Sequence, residues 1–211
     1  MERKSHSKCV LCRREGKKLF LKGDKCNSPK CPMVNRNSVP GVHGKTSSRR
    51  LTDYGERFRA KQQCKRIYGL RENTFKKYFQ VAQKSSSNTG DMLLVLLEKR
   101  LDNTVFASSL FPSRAMAKQI VSHGLVRVNG KKVNIPSYQV KMGDVITFKI
   151  GKKLEKRVED FMSAKKTFVA TASEHVYYDK DKKELRVLRD PDVSNVKQTV
   201  DAKLIVEFYS R

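Results

Sequence analysis

The stretch SRAMAKQIVSHGLVRVNGKKV, residues 113–133, decides the fold. Ser113 has the side chain of a helix N-cap, whose oxygen accepts from a free first-turn N–H. Met116, Ala117, Ile120 and Val121 then recur at helical spacing and form one apolar face. His123-Gly124 ends the helix, glycine being the residue that takes the left-handed stop most readily. Leu125–Val128 reads as a strand, and Asn129-Gly130 is the two-residue hairpin signal that returns the chain into Lys131-Lys132-Val133. Polar and basic groups collect at the helix start and at the hairpin. A helix N-terminus offers free N–H groups and the positive end of a dipole. Ser113 adds a hydroxyl, and Arg114 a guanidinium able to hold phosphate through two bonds. Lys118, His123, Asn129, Lys131 and Lys132 extend the same candidate RNA-binding face.

Downstream, Gly143-Asp144 marks a turn and Val145–Ile150 a strand. Leu154, Val158 and Phe161 suggest a short basic helix. Val176–Tyr178 and Leu185–Leu188 read as a hairpin across residues 179–182. Upstream, Leu93, Leu97, Leu101 and Val105 repeat every four residues with Leu94 beside them, one buried helical stripe. On it sits Arg100-Leu101-Asp102-Asn103. Asp102 is read as an ion-pair partner that orients Arg100 or Arg114, and both arginines are expected at the surface, where Arg100 joins the phosphate site.

Before the stripe, Ser85–Gly90 is a linker by composition. A helix is expected from Asp53, with Glu56 as capping-box partner, to about Gly69. It carries Arg57, Arg59, Lys61, Lys65 and Arg66, and with few acids to pair them these cations are read as RNA contacts. A second helix over 72–84 places Phe75, Tyr78, Phe79 and Ala82 on one face, a core stripe rather than a stacking platform. The apolar terminus Leu204–Tyr209 reads as a helix docking on that aromatic layer.

The chain has 211 residues, 46 Lys+Arg against 21 Asp+Glu, and a net charge of +25. Such an excess repels itself and implies a polyanionic partner, with nucleic acid the strongest candidate. No apolar run approaches the ~20 residues of a spanning helix, and the polar start carries no secretory signal, so a cytoplasmic protein without a membrane partner is expected.

Five cysteines in such a protein suggest metal ligands before disulfides. Cys9, Cys12, Cys26 and Cys31 form C-x2-C-x13-C-x4-C, two close pairs able to set four thiolates around zinc. The spacing also admits an iron–sulfur cluster, which zinc displaces as the preferred reading. Lys8, Arg13, Arg14, Lys17, Lys18 and Lys25 surround the cysteines and are expected to lower their thiol pKa values. Cys64 stands apart as a packing residue. The segment after the knuckle is a loop whose basic end, Lys45, Arg49 and Arg50, is placed to grip phosphates.

These motifs resemble one family. Cys9-Val-Leu-Cys12-Arg-Arg-Glu-Gly16, Leu19-Phe-Leu-Lys22, Tyr54-Gly55, Arg66-Ile-Tyr-Gly69, Asn88-Thr-Gly90, Arg100-Leu-Asp-Asn103, Val121-Ser-His-Gly124, Val128-Asn-Gly130, Val133-Asn-Ile-Pro-Ser137 and the closing Leu204–Arg211 are similar, in order, to the bacterial-type S4 (uS4) family of small-subunit ribosomal proteins in its four-cysteine form. The resemblance implies an α+β fold: an N-terminal zinc knuckle, a mostly helical domain, and an inserted RNA-binding module of helices packed on a small antiparallel sheet. The expected division is 1–42 for the arm and loop, 43–90 with 190–211 for the helical domain, and 91–189 for the module. It also implies a structural constituent of the small subunit that binds the 5′ domain of its rRNA and nucleates assembly. In this reading the loop with Lys45, Arg49 and Arg50 lies where mRNA enters, with a bearing on translational accuracy. The resemblance further implies a monomer within the ribosome, beside neighbouring small-subunit proteins. One stretch departs from the pattern: where the family usually carries Trp before the late hairpin, this chain has Glu174-His175-Val176 and no Trp at all. Two rival functions share the module, an RNA-modifying enzyme and a free regulatory RNA-binder. The first needs a catalytic domain of well over ~100 residues, for which too little chain remains.

Overall fold

A computed structural model describes residues 7–44, 51–149, 151, 156, 158, 174–179 and 181–210. Lys45, Arg49 and Arg50 lie outside them, as do Leu154 and Phe161 of the expected short basic helix. The arm holds α1 (Lys8–Glu15), α2 (Asp24–Asn27), α3 (Pro32–Asn35) and a 3-10 turn at Val42–Gly44. Then come α4 (Asp53–Ile67), α5 (Glu72–Gln83), α6 (Thr89–Glu98), α7 (Leu101–Ala107) and α8 (Arg114–Ser122). Five strands follow, β1 (Val126–Val128), β2 (Lys131–Val133), β3 (Val145–Phe148), β4 (Val176–Asp179) and β5 (Glu184–Val187). The chain closes with α9 (Ser194–Lys197) and α10 (Ala202–Tyr209).

Two cores organise these elements. In the first, Cys64 of α4, Phe75 and Phe79 of α5, Leu93, Leu94 and Leu97 of α6 and Ile205 of α10 are buried together, with Cys12 and Leu19 of the arm at its margin. The expected docking of the terminal helix is present: the Tyr209 ring stacks 4.6 Å from Phe79 and 6.3 Å from Phe75. Cys64 is fully buried there as a packing residue. The N-cap of α4 is Thr52, whose hydroxyl accepts from Gly55 N–H, one residue earlier than the cap expected with Glu56.

In the second core, Leu101 and Val105 of α7 and Ala117, Ile120 and Val121 of α8 pack on Val126, Val128, Ile146, Leu185 and Val187. The sheet is wholly antiparallel, in the order β2-β1-β3-β5-β4. Asn129 and Gly130 both have positive φ, 49° and 78°, as the two-residue hairpin turn requires.

The leucine stripe is therefore not one helix. α6 ends at Glu98, and Arg100 takes an extended conformation (φ −65°, ψ 137°) before α7 begins. Val140 N–H donates to Lys99 C=O at 2.9 Å, and Leu101 N–H donates to Tyr138 C=O at 2.8 Å. These bonds to the loop before β3 replace the helical ladder and turn the stripe from one core into the other. Leu93 and Leu97 thus serve the first core, Leu101 and Val105 the second.

Candidate nucleic-acid interface

Helix α8 and the β1–β2 hairpin form one surface. Ser113 Oγ accepts from Met116 N–H at 3.3 Å, so its hydroxyl caps the helix. What remains there for an anion is the backbone N–H groups and the dipole. Arg114 is half-buried. Its Nε donates to Asn103 Oδ1 at 2.7 Å, and its guanidinium carbon lies 4.5 Å from the Phe106 ring centre and 5.3 Å from that of Tyr68. Among the described residues Nε makes its hydrogen bond, and the two rings hold the guanidinium face in place.

At the other end of α8, Gly124 has φ +68°, and the stem of Lys132 crosses it so closely that an added Cβ would lie 2.4 Å from Lys132 Cε. The left-handed φ is what calls for glycine here, since the flexible end of Lys132 can swing aside. His123, the residue before Gly124, is exposed. Lys118 Nζ donates to Gly69 C=O at 3.3 Å, tying α8 to the turn after α4. Asn129 is exposed, but its side chain is engaged at both ends: Nδ2 donates to Asp144 Oδ1 at 2.8 Å, and Oδ1 accepts from Val145 N–H at 2.9 Å. It holds the hairpin against β3.

Arg127 was missed by the sequence reading. It lies between buried Val126 and Val128, and the register sets it directly opposite Lys132 on the outer sheet face. Like charges opposite each other across strands are unfavourable until an anion separates them. The Val-Arg-Val alternation was the available signal.

Arg100 is not at the surface. It is 2% exposed; Nε and Nη2 donate to the two Asp102 oxygens at 3.0 and 2.7 Å, and Nη1 donates to Tyr78 OH at 2.8 Å. Burial pushes its pKa down, but the bonds to Asp102 and that carboxylate's charge outweigh this and raise it. Asp102 orients Arg100 as expected, but inside the protein, where the pair joins α7 to Tyr78 of α5.

The cations of α4 do find acids. Arg57 pairs with Glu207 at 2.8 Å, Lys61 and Lys65 with Glu72 at 2.8 and 2.9 Å, and Arg59 and Arg66 with Glu15. Lys61 also lies 4.2 Å from the Phe208 ring centre. The Glu15 carboxylate is buried, which raises its pKa against the pull of Arg66 and Arg59. Burial pushes Glu72 up as well, but hydrogen bonds from Lys61, Lys65 and Tyr209 outweigh it and hold that carboxyl at about 2. Lys61, Lys65 and Glu72 thus fasten the terminal helix to the first core.

In the arm, Cys9 and Cys12 sit on α1, Cys26 on α2, and Cys31 at the N-cap of α3. Cys12, Cys26 and Cys31 are buried, Cys9 half-buried, and all are free thiols. Burial raises the Cys12 and Cys26 thiols, and the neighbouring cysteines add to it, so the lowering expected from surrounding lysines and arginines is outweighed. Lys22 N–H donates to Cys26 Sγ at 3.3 Å. The donors suit zinc in kind: four mutually interacting thiols with backbone N–H donors to sulfur. Among the described residues, however, no three or more His, Cys, Asp or Glu side chains close into a metal-holding group.

The sequence also hid a buried polar cluster between the cores. Tyr68 OH donates to Glu98 Oε1, and Asn103 Nδ2 to Glu98 Oε2, both at 2.5 Å. Burial, then the Glu98 charge, raises the Tyr68 phenol well above its ordinary value.

Two family models match in tandem. The ribosomal protein S4/S9 N-terminal domain covers residues 3–98 and the S4 domain covers 99–146, meeting where α6 gives way to Arg100. Small ribosomal subunit protein uS4 of Dictyoglomus turgidum is 48% identical over the full length of both chains. The uS4A protein of Symbiobacterium thermophilum is 45% identical over 96% of each, and that of Alkaliphilus metalliredigens 44% over the whole of both.

Proposed function

Because the chain belongs to the uS4 family of small ribosomal subunit proteins, we propose that it is a structural component of the small subunit, held there by its rRNA. The carrying observation is the full-length match to relatives of that name, with the +25 charge as its physical counterpart. It is a ribosomal structural protein, not an enzyme, and works in the cytoplasm with the ribosome. The module face of Arg114, Lys118, His123, Lys131 and Lys132, with Arg127 added, grips phosphates of a folded junction. A-form RNA hides its major groove, so this face reads shape more than base sequence. The tagged chain should co-sediment with small subunits; sedimentation free of them would return the free-regulator reading.

The finer role is binding of the rRNA 5′ domain early in assembly and contact with mRNA where it enters the subunit. The second part rests on the family resemblance and on the basic run Lys45, Arg49 and Arg50. Changing those three to Ala should spare the fold, since the sequence reads there as a loop, whose charges carry little stability. It should slow unwinding of structured mRNA by assembled ribosomes more than it weakens rRNA binding. The opposite order of effects would move these residues into the rRNA interface.

The four-cysteine arm binds one structural zinc in this reading, through Cys9, Cys12, Cys26 and Cys31. A metal supplies order that a short polar arm cannot obtain from a core of its own. Metal analysis of the reduced protein should find about one zinc per chain. Cys12→Ser should speed amide exchange across residues 7–35 and leave α8 and the hairpin protected. Native protein that takes up no metal at neutral pH would remove the zinc assignment; iron with inorganic sulfide would replace it by a cluster.

A further inference from the structure

One amide joins the first turn of α8 to the end of α6. Asn103 of α7 is 3% exposed and stands between them. Its Nδ2 donates to Glu98 Oε2 at 2.5 Å, with the Glu98 main-chain carbonyl at 3.4 Å, and its Oδ1 accepts from Arg114 Nε at 2.7 Å. The two ends of an amide have nearly the same shape, so its neighbours decide which end points where. A carboxylate and a carbonyl only accept, and a guanidinium only donates. Both neighbours therefore select the same orientation. Turned over, the amide would set its NH2 against Arg114 Nε–H and its oxygen against the Glu98 carboxylate. Glu98 is itself buried, and Tyr68 OH donates to its other oxygen. Burial and the Glu98 charge keep that phenol protonated, so it stays a donor.

The bonds Tyr68–Glu98–Asn103–Arg114 thus run from the first core to a half-buried cation of the face assigned to RNA. The Tyr68 and Phe106 rings brace the same guanidinium. Arginine has five N–H donors, and Asn103 engages one of them. A long side chain that meets a ligand loses rotamer freedom, and affinity with it, unless folding has already fixed it. We propose that Asn103 is a positioning residue for RNA binding: oriented by Glu98, it holds Arg114 in its phosphate-gripping attitude before the RNA arrives. The face around α8 then owes the attitude of one of its cations to Tyr68 and Glu98, which lie at the ends of first-core helices.

The proposal rests on the rRNA-binding reading, and its test separates the two. Affinity of the full chain for the 5′ domain of small-subunit rRNA is measured over a range of salt. The proteins are native, Asn103→Leu, Asn103→Ala, Arg114→Ala and the two double variants, with urea unfolding as the check of folding. Leu fills the space of the amide and Ala leaves it, so either folded variant carries the test. Arg114→Ala should bind about ten- to a hundredfold more weakly, the range for one charged hydrogen bond, and should lower the salt slope by about one phosphate. The Asn103 variants should bind about two- to tenfold more weakly, the cost of ordering one long side chain, at an unchanged slope, because the same phosphate is met. In the Arg114→Ala background the Asn103 change should cost no further affinity. A merely structural role would lower affinity equally in both backgrounds. That result overturns the proposal, as does native affinity in a folded Asn103 variant. Native affinity of Arg114→Ala takes Arg114 off the interface and overturns the proposal while the rRNA-binding reading stands. No binding of native protein to rRNA overturns that reading and this proposal with it. A second measurement needs no variant. By NMR of the native chain without RNA, Arg114 Nε–H should exchange slowly with water; exchange as fast as that of a solvent-exposed arginine overturns the proposal whether or not the variants fold.

Discussion

Arg100→Ala should lower the unfolding free energy by about 3–5 kcal/mol, the range for removing one partner of a buried ion pair. The size follows from what is left behind. Asp102 is 5% exposed and would lose both charge-assisted bonds. Tyr78 OH would lose the guanidinium that spans from the second core to the first. The loss should exceed that of Tyr78→Phe, which deletes one hydrogen bond to a charged group and should cost about 1.5–3 kcal/mol at most. Arg100→Lys keeps the charge but not the fork, and should fall between native and Ala. Urea unfolding measures all three. An Ala variant within ~1 kcal/mol of native would mean that Arg100 turns outward in solution, restoring it to the RNA-facing set and contradicting its burial.

The same residue shows where the sequence could be read and where it could not. Residues 113–133 were legible because each signal is local: a cap, a 3.6 period, a stop and an Asn-Gly turn, all within one supersecondary unit. The break at Lys99-Arg100 has no glycine or proline to announce it. It is imposed by backbone bonds to Lys99 and Leu101 from Tyr138 and Val140, about forty residues on. A four-residue leucine repeat reads as one helix whether it serves one core or two. The charges of α4 failed in the same way. Counting acids suggests that its cations are free, but Glu15, Glu72 and Glu207 come to them from the arm, from α5 and from the terminal helix. The buried polar cluster is less legible still, since Tyr68 meets Glu98 and Asn103 only once both cores are assembled. Arg127, by contrast, was readable from strand alternation alone.

Binding to rRNA should fall about 10³- to 10⁵-fold between 50 and 200 mM salt if roughly six to ten phosphates are neutralised, by the duplex calibration. The slope of log affinity on log salt counts phosphates that release counterions, so it also reports which cations make contact. Arg127, Lys131 and Lys132 are exposed and have no acid partner among the described residues. Changing one of them to Ala should reduce the slope by about one phosphate and weaken binding alike across RNA sequences. Lys65 is held by Glu72 at 2.9 Å, a carboxylate that it shares with Lys61. Lys65→Ala should therefore leave the slope nearly unchanged, because that ammonium meets no phosphate unless it first leaves its partner. The two sets carry the same formal charge, so a bulk electrostatic attraction would treat them alike. Equal slope changes for Lys65→Ala and Lys132→Ala would show that internal pairing does not withhold the α4 cations from RNA. A slope near zero for the native chain would remove the phosphate contacts altogether. The expected result is a steep native slope, lowered by the hairpin variants and indifferent to Lys65, which would place the RNA on the module face and leave α4 to its helix partners.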